Sequence, residues 1–111
     1  MHEGQLFIGG RWVAGAGTLP VLNKYTGQTV AEVGLADERL LNQALEAAVK
    51  AAPVMAAMPA YRRAEILARA VEGLRRRREE FARTIATEAG KALKWARVEV
   101  DRAITTFTIA S

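Results

Sequence analysis

The chain has 111 residues, of which half are hydrophobic and a quarter are charged, and its formal net charge is +4 at pH 7. This composition is typical of one soluble globular unit. Because the chain contains no cysteine, it holds no disulfide, no thiolate nucleophile and no thiolate-ligated metal. The single histidine, His2, stands beside the N-terminus and cannot alone form a histidine metal site or a proton relay.

Neither a secretory signal nor a membrane span is predicted. No apolar run follows a basic start at the N-terminus. The longest apolar stretch, residues 51–60, is short and is interrupted by Pro53 and Pro59, whereas a membrane-spanning helix needs about 20 apolar residues. We therefore expect a cytoplasmic protein.

Residues 1–36 are predicted to form short strands and turns. The segments 5–8 and 11–13 flank a Gly9-Gly10 dipeptide, which readily takes the positive φ of a tight hairpin turn. A second pair of strands is predicted on either side of a turn from Asn23 to Gly27. The N-terminal part is thus a short β-region.

Residues 37–111 have the apolar periodicity of helices. Asp37 can cap the first helix, which Pro53 is expected to stop or kink. Pro59 suits the first turn of a second helix, which runs to a left-handed cap at Gly90. The pattern predicts about four helices, with breaks near these two prolines and this glycine.

Two glycine-containing segments have the look of phosphate-binding loops, but their spacing is wrong. A phosphate loop requires G-x-x-x-x-G-K-[ST], yet Ile85 stands five residues before Gly90 and alanine follows the Gly-Lys pair. In residues 15–20, Pro20 occupies the third glycine position of a dinucleotide fingerprint. Gly90 is therefore interpreted as the end of a helix.

Positive charge is concentrated in residues 61–111, which carry twelve basic and seven acidic side chains. The run Arg75–Arg78 can be interpreted as a nucleic-acid surface or as a solvated helix face laced with i,i+4 ion pairs. The predicted pairs are Arg75–Glu79, Arg76–Glu80 and Glu79–Arg83. Aromatic residues do not interleave with the run as base stacking requires, which favours the solvated face.

The last helix is apolar on two sides. Its first stripe consists of Leu93, Ala96, Val100, Ile104 and Phe107. Its second stripe consists of Trp95, Val98, Thr105 and Ile109. A helix of this kind is normally buried on both sides, and the preceding helices can cover one of them. Since the pattern runs to Ser111 without a stop, we expect a longer protein that covers the second stripe. The alternative is a small interaction or assembly module that presents this stripe to a partner.

Arg102 is a charged residue within the second stripe. Its guanidinium can pair with Glu99, three residues earlier, while its aliphatic stem packs on apolar neighbours. Alternatively, the guanidinium can bind an anion, because its fork of donors fits a carboxylate or a phosphate. Both interpretations remain open from the residues alone.

Four segments together resemble the N-terminal part of the NAD(P)-dependent aldehyde dehydrogenase superfamily, in the order and spacing of that family. They are LFIGGRWV (6–13), NKYTGQTVAEV (23–33), MPAYRRAEIL (58–67) and EAGKALKWARVEVDRA (88–103). The last segment is most similar to the branch that acts on lactaldehyde, semialdehydes and phosphorylated or phosphono-aldehydes. Lys24, Met55 and Ala92 depart from the family pattern, and all three stand at turn or packing positions.

The resemblance implies the α/β fold of an aldehyde dehydrogenase for the complete, homo-oligomeric enzyme. Residues 1–111 are then its mostly helical N-terminal portion. It also implies oxidation of an aldehyde with NAD or NADP through a cysteine thiohemiacetal. Relatives carry the catalytic residues and the main cofactor contacts further along the chain. No catalytic or cofactor-binding residue is therefore expected here, and the segment alone should be inactive.

The resemblance further implies two binding sites. The position of Arg102 faces the substrate tunnel in relatives, and an arginine there helps to hold the anionic group of a small aldehyde. The carbonyls of Val21 and Leu22 and the carboxylate of Glu88 match a monovalent-cation site, and oxygen ligands suit a hard cation. Glu88 can equally be a surface residue near a helix end.

Overall fold

The structure is a computed structural model that describes residues 4–111, so that His2 lies outside the described residues. Within this range the strands come first: β1 (Leu6–Ile8), β2 (Arg11–Val13), β3 (Gly17–Leu22) and β4 (Thr29–Leu35). The helices follow: α1 (Glu38–Ala57), α2 (Ala60–Arg76), α3 (Arg78–Ala89) and α4 (Leu93–Ala110). The predicted order, a short β-region and then helices, is confirmed.

The described residues form two compact units. The first contains the residues up to Leu22 together with Gly27–Ala57, and so holds the four strands and α1. The second contains Asn23–Thr26 and Met58–Ser111, and so holds one turn and the helices α2, α3 and α4.

Two antiparallel hairpins make up the β-region of the first unit. β1 pairs with β2 so that Phe7 lies opposite Trp12, and the ring centroids of the two residues are 4.8 Å apart. Gly9 and Gly10 have φ values of 58° and 79°, as the central residues of a primed two-residue turn require. This predicted hairpin is confirmed. β3 pairs with β4 in the second, longer hairpin.

Three glycines of the first unit lie where backbone segments approach closely. The amide of Gly34 donates a hydrogen bond to the carbonyl of Gly4 at 2.5 Å. A Cβ atom on Gly15 would lie 2.7 Å from the Cα of Gly34, and one on Gly34 would lie 2.9 Å from the oxygen of Gly4. Since real side chains do not fit such separations, the packing of these segments depends on glycine.

Asp37 caps helix α1, as predicted. The Oδ1 atom of Asp37 accepts a hydrogen bond from the amide of Leu40 at 2.8 Å, which satisfies one of the unpaired donors of the first turn. Leu40 is 2% exposed, so the cap and the buried apolar residue fix the same turn.

Helix α1 does not stop at Pro53, and the expectation of a stop there is wrong. The helix continues to Ala57. Proline removes one backbone donor and leaves the other helical hydrogen bonds in place. The carbonyl that loses its partner belongs to Val49, which is 72% exposed, so water can satisfy it.

The second unit contains the predicted turn that begins at Asn23. The side-chain oxygen of Asn23 accepts hydrogen bonds from the amides of Tyr25 and Thr26, at 2.9 and 3.1 Å. This is the local hydrogen bonding by which asparagine favours turns.

The helix predicted between Pro59 and Gly90 is two helices in the structure. Arg77 lies between α2 and α3 with φ −106° and ψ 19°, outside the usual helical region. The apolar periodicity continues on both sides of this residue, so the pattern did not show the break. The predicted left-handed cap at Gly90 is confirmed, with φ 67°.

Helices α3 and α4 pack through small residues. Ala82 and Ala96 are fully buried, and Val100 is 3% exposed. Partly buried apolar residues surround these three: Phe81, Ile85, Ala86, Leu93 and Ile104. Four members of the first predicted stripe of the last helix therefore lie in this core, whereas the fifth, Phe107, is 40% exposed. Within residues 4–111, none of the helices has the length and apolar content that crossing a bilayer requires.

Candidate substrate-anion site on helix α4

The second stripe of α4 borders a shallow, open concavity of about 650 Å³. Its lining side chains on α4 recur at intervals of three and four residues and therefore share one helix face. They are Trp95, Val98, Glu99, Arg102, Ala103 and Thr106, joined by Lys91 from the segment before the helix. Trp95 is 57% exposed and Val98 is 45% exposed. This side of the helix carries both apolar and charged side chains, and it is uncovered in the part of the chain that the structure describes.

Arg102 lines this concavity. No carboxylate of residues 4–111 lies within ion-pair distance of it. The predicted pair with Glu99 is wrong, because Glu99 Oε2 accepts a hydrogen bond from Lys91 Nζ instead. The hydroxyl of Thr106 donates to the main-chain oxygen of Arg102 at 3.0 Å and leaves the guanidinium unoccupied. Its five N–H donors can therefore meet an anion.

The concavity carries one surplus positive charge. Lys91 and Glu99 neutralise each other, and their side chains are 42% and 50% exposed. Among the lining residues Arg102 adds the unbalanced charge, and outside them the ammonium of Lys94 lies 5.1 Å from the centroid of the Trp95 ring. An apolar wall strengthens a charge-assisted hydrogen bond once water is displaced. The arrangement therefore suits a small organic anion.

Two arginine forks tie α3 to α4 on another side of these helices. Arg78 donates from Nε and Nη2 to the two carboxylate oxygens of Asp101, each at 2.6 Å. Arg97 donates from Nε and Nη2 to Glu79, at 2.8 and 3.0 Å. These hydrogen bonds lower the pKa of the Asp101 and Glu79 carboxyl groups, so both carboxylates stay ionised well below neutral pH.

The ion pairs predicted for the basic run are wrong. Within residues 4–111, none of Arg75–Glu79, Arg76–Glu80 and Glu79–Arg83 forms an ion pair. The break at Arg77 changes the helical spacing across the run, and the oxygens of Glu79 are taken by Arg97. Arg76 instead pairs with Glu72 at 3.1 Å, and Arg77 pairs with Glu80. Since carboxylates balance most of this run, the solvated-face interpretation is favoured over a nucleic-acid surface.

The residues of the predicted cation site are described in separate units. Val21 and Leu22 end β3, where the register with β4 is irregular, and Glu88 is an exposed residue in the last turn of α3. No group of three or more acidic or histidine side chains in residues 4–111 could hold a metal ion. The monovalent-cation site stays a prediction.

Sequence reasoning missed the role of Lys91. Eight positions and a helix start separate Lys91 from Glu99, so no helical spacing links the two residues. Their proximity depends on the short connection after Gly90. The available signal was a lysine just before the last predicted helix, Lys91, with an acidic residue, Glu99, about two turns into that helix.

Comparisons with known proteins assign the chain to a family. A model of the aldehyde dehydrogenase family matches residues 12–111. The 3-sulfolactaldehyde dehydrogenase of Priestia aryabhattai is 40% identical over 106 residues, which are 96% of this chain and 22% of that protein. The chain belongs to the aldehyde dehydrogenase family, and the resemblance seen in the sequence is confirmed.

Two solved structures show the same relationship. Aldehyde dehydrogenase 21 of Physcomitrella patens, in complex with the reaction product succinate, matches with a TM-score of 0.91 and 43% identity over 95% of this chain and 22% of that one. An NAD-dependent benzaldehyde dehydrogenase of Corynebacterium glutamicum matches with a TM-score of 0.89 and 33% identity over 95% and 23%. The chain thus spans about a fifth of the length of these relatives.

Proposed function

We propose that this chain is the N-terminal part of a subunit that oxidises an aldehyde to a carboxylate with NAD or NADP. The observation that carries this proposal is the family match over residues 12–111. One matching structure is NAD-dependent, which supports a nicotinamide cofactor, the hydride acceptor of such a reaction. The chain itself supplies scaffold and one wall of the substrate tunnel. Because it has no cysteine, the nucleophile belongs to another part of the subunit.

Within that subunit we assign Arg102 to the anionic group of the substrate. Arg102, which has no carboxylate partner among residues 4–111, lines the same uncovered side of α4 as Trp95 and Val98. When the rest of the subunit covers this side, a cation without a partner would be costly to bury, whereas a substrate anion would compensate it. The match to an enzyme of 3-sulfolactaldehyde, which carries a sulfonate, and to one that releases succinate supports an anionic aldehyde.

A homo-oligomeric, cytoplasmic enzyme with a monovalent cation at Val21, Leu22 and Glu88 completes the proposal, on the strength of the family resemblance. The exposed apolar residues Trp95, Val98 and Ile109 support contact with the rest of the subunit. An independent assembly module or a nucleic-acid-binding module is not favoured, because the family match extends through all four helices.

The test compares two aldehydes of similar size in the complete subunit. Succinic semialdehyde carries a carboxylate, and butanal is uncharged. A charge-assisted hydrogen bond contributes about 1.5–3 kcal/mol, so Arg102→Leu should lower kcat/KM for succinic semialdehyde about ten- to a hundredfold. The value for butanal should hardly change.

The matched control is Arg69→Leu, which removes another arginine of the same unit, from the exposed surface of α2. This variant should leave kcat/KM unchanged for both aldehydes. An equal loss for charged and uncharged aldehydes in Arg102→Leu, or no loss for either, would remove Arg102 from the substrate site.

A further inference from the structure

Glu99 is the natural competitor for the guanidinium of Arg102. It is the one carboxylate three or four residues away from Arg102 along α4, and residues at this spacing are neighbours on a helix surface. An acidic residue that precedes its basic partner is also the favoured orientation. An Arg102–Glu99 pair would occupy the donors that an anion needs.

The structure shows a different pairing. The carboxylate of Glu99 accepts a hydrogen bond from the ammonium of Lys91. Lys91 stands between the left-handed cap of α3 at Gly90 and the start of α4. The left-handed backbone of Gly90, with φ 67°, sets the direction in which the chain enters the segment of Lys91.

We infer that Lys91 is a positioning residue, which holds Glu99 in an ion pair and thereby keeps Arg102 free for the anionic group of the substrate. The inference rests on the proposed function, because it assumes that Arg102 binds an anion. Two cations and one carboxylate line this concavity, and the partner that Glu99 takes decides which of the two cations is left to meet the anion. Lys91 would then set substrate preference without touching the substrate.

Without Lys91, the carboxylate of Glu99 becomes free to pair with the guanidinium of Arg102. An exposed ion pair of this type shifts an equilibrium by up to about fivefold. We therefore expect Lys91→Met to weaken anion binding at Arg102 about two- to fivefold. In a Glu99→Gln background no carboxylate is left to release, so the same Lys91→Met change should have little effect.

The experiment is a double-mutant cycle in the complete subunit. The probe is methanesulfonate at constant ionic strength, and the readout is its dissociation constant as an inhibitor that competes with succinic semialdehyde. Four proteins are titrated: wild type, Lys91→Met, Glu99→Gln and the double variant. Arg102→Leu, assayed with butanal, shows how much methanesulfonate binding does not depend on Arg102. Far-ultraviolet circular dichroism checks that each variant keeps its helices.

The result that supports the inference is a weaker dissociation constant in Lys91→Met that the added Glu99→Gln change restores. If Lys91 attracts the anion only through its charge, Lys91→Met weakens binding by the same factor in both backgrounds, and the inference is overturned. An unchanged dissociation constant in Lys91→Met also overturns it, while the proposed role of Arg102 stands. If Arg102→Leu binds methanesulfonate as tightly as the wild type, the proposed role of Arg102 fails as well.

Discussion

Substitution of Gly15 by alanine should destabilise the first unit. The new Cβ atom would lie 2.7 Å from the Cα of Gly34, 2.7 Å from the amide nitrogen of Leu35 and 2.8 Å from the oxygen of Gly17. Carbon atoms in contact prefer separations of about 3.5–4.0 Å. All three neighbours are backbone atoms, so a side-chain rotation cannot relieve the overlap and a strand must move.

The magnitude follows from two opposing effects. Overpacking of a tightly packed site costs about 1–3 kcal/mol, and the rigid neighbours of Gly15 place it in the upper part of this range. Alanine also stabilises by about 0.4–1 kcal/mol, because it lowers the entropy of the unfolded chain. The net loss for Gly15→Ala should be about 2 kcal/mol. Gly17→Ala is the matched control, since no atom lies within 4 Å of its added Cβ.

The assay is urea unfolding followed by tryptophan fluorescence. The chain has two tryptophans, and a Trp95→Phe background leaves Trp12, on β2, as the reporter of the first unit. The Gly17→Ala change should leave the midpoint unchanged or raise it slightly, whereas Gly15→Ala should lower it clearly. Equal midpoints for the two variants would refute the close approach of the Gly15 and Gly34 backbones.

Two further predictions concern acid stability and activity. Because arginine hydrogen bonds lower the pKa of Glu79 and Asp101 in the folded state, their stabilisation is complete above the unfolded values of about 4 and is lost as the pH falls through the folded-state pKa values. Urea midpoints of the second unit should therefore be level near pH 6 and fall below about pH 4; Asp101→Asn should flatten this fall, and a rise on acidification would contradict the reasoning. The 111-residue chain should not oxidise butanal with NAD or NADP, because it contains no thiol; NADH or NADPH formation above a protein-free blank would show that the chemistry resides here.

The turns and helix ends could be predicted because their causes are local. The positive φ of Gly9 and Gly10, the cap at Asp37 and the left-handed end at Gly90 each depend on a few adjacent residues. The side-chain hydrogen bonds of Asn23 span three residues. Residue type determines such geometry almost directly, so the β-region and most helix boundaries followed from the sequence.

The break at Arg77 and the pairing of charges could not be predicted in the same way. Arginine is a good helix former, and nothing in its chemistry marks Arg77 as the end of a helix. The forks Arg78–Asp101 and Arg97–Glu79 join residues 23 and 18 positions apart. Such pairs depend on how α3 and α4 pack, and many local alternatives have similar energies because exposed ion pairs contribute little.

Arg102 could be singled out because a charge interrupts an apolar stripe, but its partner could not be predicted. Helical spacing makes Glu99 the expected ion-pair partner of Arg102. Such spacing takes no account of side chains that precede the helix. Lys91 approaches from there and takes the carboxylate. The apolar pattern thus identified Arg102 as a candidate. Whether Arg102 has an ion-pair partner depends on Lys91, in the connection between α3 and α4.

The free guanidinium restricts what can cover the second stripe of α4. An apolar cover that left Arg102 without a partner would leave a buried charge uncompensated. The cover must therefore either bring its own carboxylate or leave room for an anionic ligand, and the Arg102→Leu variant of the complete subunit separates the two cases. If a carboxylate of the cover pairs with Arg102, its loss leaves that carboxylate buried alone and should cost about 3–5 kcal/mol of stability. If the partner is the substrate, the ligand-free variant should be at least as stable as the wild type, because leucine suits the apolar stripe and only the affinity for the anionic aldehyde is lost.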